Sequence, residues 1–172
     1  SWTPFPNSKN YLIQTCTKKS NKDWGRRYFK DSRKCGGDEK IDEATLRSLV
    51  NFHIRNETDA ILPCGTTGES PTLSHQEHDD VIRIVVEESA GRIPIIAGTG
   101  SNSTAEAIEL TQHAEVIGVD AILSVCPYYN KPTQRGLCNH FTEIAKNTSL
   151  PIILYSIKGR TGINIETDTV FN

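Results

Sequence analysis

From Lys40 onward the chain keeps one beat: a short apolar run, a polar cluster, then a segment with apolar residues at helical spacing. Residues 59–64, Pro94 to Ala97, Asp120 to Cys126 and Pro151 to Tyr155 read as strands. Asp42 to about Arg55 reads as a helix, with Leu46, Leu49, Val50, His53 and Ile54 on one face. Ser74 with Glu77, and Ser103 with Glu106, make S-x-x-E capping boxes that open the next two helices. A further helix carries Leu137, Phe141, Ile144 and Ala145. A strand followed by a helix about every 30 residues is the pattern of βαβ units around a parallel sheet.

Two architectures satisfy that pattern, and the polar clusters choose between them. "GTTGE", "GTGSNS", "PYYNKP" and "YSIKGRTG" each follow a strand. An open doubly wound sheet gathers its chemistry at one switch point, whereas a (β/α)8 TIM barrel sets the C-terminal ends of all strands around one mouth. Loaded ends on consecutive strands predict the barrel. Such barrels run to ~250 residues and this chain has 172. The expectation is an incomplete α/β barrel of about four to five βα units.

Residues 1 to 35 hold nine Lys/Arg against Asp23 and Asp31, a net of +7; the remainder carries −9 and the whole −2. That shift places a boundary near Cys35-Gly36-Gly37, with residues 1–37 a basic extension and 38–172 the barrel domain. The extension suits a transit segment, an unrelated extension, or a nucleic-acid tail, since Trp24, Tyr28 and Phe29 lie beside Arg26 and Arg27. The near-neutral whole exerts no general pull on nucleic acid or anionic membrane, and no apolar run reaches the ~18 residues of a membrane span. Five cysteines, odd in number and without C-x-x-C spacing, predict a reducing compartment. That means the cytoplasm, or a plastid if the start is a transit segment.

Gly65-Thr66-Thr67-Gly68-Glu69 offers two hydroxyls and successive amides able to hold a carboxylate and relay a proton. The same residues could simply turn the chain and satisfy helix amides. Tyr128, Tyr129 and Tyr155 are phenols at strand ends, suited to proton transfer or to a core with rim hydroxyls. Arg160 is a bidentate anchor for a carboxylate, or a solvated loop charge. His75 and His78 lie three apart on one helical face without a third ligand, so no metal site is expected.

"GTTGES", "AGTGSNSTAEAIELT", "PYYNKPTQ" and "ILYSIKGRTG", in this order between Asp38 and Asn172, resemble the pyruvate-dependent class I aldolases and lyases of the dihydrodipicolinate synthase and N-acetylneuraminate lyase family. The resemblance implies a (β/α)8 barrel, a homotetramer of tight dimers, and Schiff-base chemistry without a cofactor. The Arg-Thr-Gly resembles the synthase branch, which condenses pyruvate with aspartate semialdehyde on the route to lysine. By motif, Thr66, Tyr129 and Tyr155 are implied as the proton relay, with Tyr129 reaching into a neighbouring subunit's site. Thr67 would hold the pyruvate carboxylate and Arg160 that of the semialdehyde. An inhibitory L-lysine site at the dimer interface is implied at Ser70, Pro71, His75, His78, Asn102, Glu106 and Tyr128. Glu106 would meet the ammonium, and Asn102 and Tyr128 the carboxylate.

The sequence also departs from the family. The family's nucleophilic lysine falls past the Arg-Thr-Gly, beyond Asn172. Ser156 and Lys158 stand where the family usually has asparagine and proline. "WTPF" at residues 2 to 5 resembles the end of the first barrel strand but is separated from "KIDEATL" by unrelated sequence. The 172-residue chain alone is therefore expected to be inactive and prone to associate. The alternatives are another pyruvate lyase of the superfamily and a non-catalytic module.

Overall fold

The computed structural model describes residues 41–66, 68 and 70–171. The basic extension, "WTPF" and Thr67 lie outside the described residues. The elements in chain order are α1 (Glu43–Arg55), α2 (His75–Ser89), β1 (Ile96–Gly98), α3 (Thr104–Ile117), β2 (Ala121–Val125), α4 (Gln134–Lys146) and β3 (Ile152–Tyr155), then the single turns α5 (Lys158–Thr161) and α6 (Thr167–Val170). Each long helix begins on a side-chain cap. Asp42 accepts from the Thr45 amide at 3.1 Å, and Thr133 from the Gly136 amide at 3.2 Å. At α2 the expected capping box is complete, with the Ser74 amide donating to Glu77 at 2.8 Å and the Glu77 amide returning to Ser74 Oγ at 3.3 Å.

The strands pair in parallel in the order β1-β2-β3, with Ile96 opposite Ala121 and Ile122 opposite Ile152. Right-handed crossovers between strands taken in sequence order all run over the same face of a sheet. The helices therefore cover one side, and the other is left to close around a cavity. This is one arc of a (β/α) barrel. Alternation along β2 follows from it: Ile122 and Ser124 face the helices, while Leu123 and Val125 line the cavity.

The expected strand over 59–64 is reduced to one parallel bridge, Ile61 to Ile95. Its backbone still bonds β1, through Ile96 N to Ile61 O at 2.9 Å and Gly98 N to Pro63 O at 3.0 Å. Pro63 has no N–H to return, and Cys64 turns away at φ +56°, so the ladder stops there. Pro94 shortens the next strand for the same reason, and β1 starts at Ile96.

Ile82, Ile122, Leu137 and Ile144 are fully buried between sheet and helices, each contributing about 1.5–3 kcal/mol of transfer free energy. The strands approach closely at the "GTG" of residues 98–100. A Cβ on Gly98 would stand 2.3 Å from the Cys64 carbonyl oxygen, and one on Gly100 2.3 Å from the Val125 nitrogen. On β3, Ile153 and Leu154 remain 39% and 36% exposed. No helix among the described residues is long and apolar enough to cross a membrane.

Candidate functional site

The strand ends open on a cavity of about 580 Å³. Thr66 enters it from the turn after Ile61, Tyr155 from the end of β3, and Arg160 from α5. Among the described residues the Arg160 guanidinium forms no ion pair, although it lies exposed at the mouth. Cys64 lines the same wall, but burial, with the Asp79 charge adding to it, raises its thiol pKa well above the ordinary range. The cavity wall thus offers hydroxyls and a guanidinium, and no thiolate nucleophile.

Ser70, Pro71, His75, His78, Glu106 and Tyr128 line the same cavity. Glu106 was expected to complete a second capping box. The structure corrects this: the Glu106 amide does bond Ser103 Oγ, at 3.4 Å, but the carboxylate does not return to the cap. It accepts instead from the Ser101 hydroxyl and lies 2.9 Å from His75 Nε2. The Ser101 bond, then the His75 bond, hold the Glu106 carboxyl below the usual carboxylate range. An ionised carboxylate at a cavity wall is suited to an ammonium ligand.

His75 and His78 are not equivalent. His75 is exposed beside Glu106, whereas His78 is 3% exposed, with Nε2 2.9 Å from the Gly98 carbonyl. That bond fixes the Nε2–H form, so the ring ties α2 to β1 as well as lining the cavity. No group of His, Cys, Asp or Glu suited to a metal occurs among the described residues.

Two expected site residues do not line the cavity. Tyr129 is 91% exposed, on a backbone with φ +73°. Asn102 donates its amide to the Tyr128 carbonyl at 3.1 Å. Ser101 was missed in the sequence, although its hydroxyl also accepts from the Ser103 amide at 3.1 Å. The Ser-x-Ser of "GSNS" is the signal for that turn. Lys158 is exposed, and Ser156 Oγ accepts from the Ile165 amide at 3.1 Å.

Residues 36–172 match the model of the dihydrodipicolinate synthetase family. A 4-hydroxy-tetrahydrodipicolinate synthase of Geotalea uraniireducens (strain Rf4) is 60% identical over 130 residues, 76% of this chain and 45% of the relative. This chain therefore spans less than half the length of that curated relative. The solved chloride-inhibited dihydrodipicolinate synthase of Acinetobacter baumannii, complexed with pyruvate, is 52% identical with a TM-score of 0.75, covering 77% of this chain and 45% of that one. The enzyme of Cyanidioschyzon merolae with lysine bound is 46% identical with a TM-score of 0.74, covering 76% and 44%. Since the matched residues include the whole described fold, the chain belongs to the dihydrodipicolinate synthetase family.

Proposed function

We propose that the chain supplies the proton-relay and carboxylate-binding side of a 4-hydroxy-tetrahydrodipicolinate synthase, a Schiff-base lyase of lysine biosynthesis. The observation that carries this reading is the convergence of Thr66, Tyr155 and Arg160 on one cavity at the strand ends. The synthase name of the Geotalea relative and the pyruvate complex of the Acinetobacter enzyme support it.

In this reading pyruvate joins an amine carried by the barrel strand that in the family follows the position of Asn172. The Thr66 hydroxyl and Tyr155 phenol pass the protons that imine formation and carbon–carbon bonding require. Tyr129, exposed on its turn, completes the relay in a neighbouring subunit of a homo-oligomer. Thr67 holds the pyruvate carboxylate, and Arg160 holds that of L-aspartate 4-semialdehyde through two parallel bonds. L-lysine binds at Glu106 in the same cavity as an inhibitor, a reading supported by the lysine-bound Cyanidioschyzon enzyme.

Borohydride trapping with pyruvate tests the division of labour. The chain alone should gain no mass on any lysine, Lys158 included. Assembled with the C-terminal segment of the Geotalea synthase, it should yield an imine on that segment. A labelled Lys158 sinks the assignment of the nucleophile, and an assembled pair without an imine sinks the Schiff-base reading.

A further inference from the structure

Tyr129 sits on a backbone that its own side chain does nothing to stabilise. Its φ of +73° and the +43° of Lys131 place two non-glycine residues in the left-handed region within three positions. Residues of this kind persist there only where the surroundings enforce it. Burial of Tyr129 within its own subunit is not that enforcement, because there the side chain is 91% exposed.

Two asparagines supply it. Asn102 Nδ2 donates to the Tyr128 carbonyl at 3.1 Å, while Asn130 Nδ2 donates back to the Asn102 carbonyl at 3.2 Å. The Asn130 amide closes the turn on the Tyr128 carbonyl at 3.0 Å. The loop after β1 and the loop after β2 thus hold one another through crossed side-chain amides. The Lys131 stem runs beside Gly162, with its Cε 3.1 Å from where a Cβ on that glycine would stand.

We propose that Asn102 and Asn130 are positioning residues for Tyr129: their crossed amides fix the strained turn that carries the exposed phenol. The consequence for catalysis rests on the reading of Tyr129 as a relay group. The clip itself does not, and it is measured without turnover.

Chymotrypsin cleavage after Tyr129 under native conditions reports opening of this turn, and cleavage after the buried Phe141 reports global opening. Asn130→Ala and Asn102→Ala should each speed cleavage after Tyr129 about tenfold, the effect of one lost hydrogen bond, and leave cleavage after Phe141 unchanged. Asn130→Asp, which keeps the shape and loses the donor, should behave like Asn130→Ala. Lys131→Gly relieves the strain at that position and should shrink the effect of Asn130→Ala. Unchanged cleavage after Tyr129, or an equal rise at both sites, would overturn the proposal. If the clip behaves as expected while Tyr129→Phe leaves turnover of the assembled enzyme intact, it is the relay role that fails.

Discussion

Glu106 shows how one side chain can be misassigned by spacing and recovered by geometry. S-x-x-E predicted a capping role, and the backbone half of the box is present, but the carboxylate was drawn to Ser101 and His75. Titrating L-lysine into the chain by calorimetry should give a binding heat that Glu106→Ala abolishes, and that Ser101→Ala weakens about tenfold, the scale of a lost charge-assisted bond. Lysine affinity that survives Glu106→Ala contradicts the effector assignment. The acid side can be checked separately. The folded pKa of Glu106 lies below its unfolded value, so its contribution to stability is present above the ordinary carboxylate range and is lost as pH falls through the folded value. Glu106→Gln should therefore lower the thermal midpoint at neutral pH, with the difference shrinking at acid pH. That Thr66, Tyr155 and Arg160 share one cavity was legible, because motif order set them at consecutive strand ends. Ser101 was not, because a serine's hydrogen-bond partner depends on a turn that only the folded backbone defines.

At the scale of elements, helices were read more reliably than strands. α1 to α4 fall where apolar spacing and caps placed them, since both signals are local. The strand over 59–64 was overread, because an apolar run does not reveal that Pro63 and the left-handed Cys64 end its ladder. Strand proximity was equally hidden, although it determines two glycines. Gly98→Ala drives a methyl into the Cys64 carbonyl. The variant should lower the urea midpoint more than Gly159→Ala, whose Cβ would meet nothing within 4 Å. The central strand carries the core, so Ile122→Ala should cost about 2–5 kcal/mol in urea unfolding. A loss below about 0.5 kcal/mol would show that β2 is not the centre of the packed layer.

For the whole molecule, the alternation of periods predicted βα units and the loaded ends of consecutive strands predicted the barrel class, which the parallel sheet and the family match bear out. That Arg160 and Glu106 line one cavity was not legible, because it depends on how far apart consecutive strand ends are held. The half-exposed Ile153 and Leu154 on β3 have a consequence at this scale, since open apolar strands recruit other chains. Sedimentation of the 172-residue chain should show concentration-dependent association that Ile153→Lys reduces. A monomer at every concentration would show that this strand recruits nothing. The most direct test of the account is turnover of pyruvate with L-aspartate 4-semialdehyde by the chain assembled with the C-terminal segment of the Geotalea synthase. The predicted result is turnover that falls about 10²-fold or more with Tyr155→Phe and with Arg160→Ala. An assembled pair that forms the pyruvate imine, yet turns over equally well with both residues replaced, would contradict it.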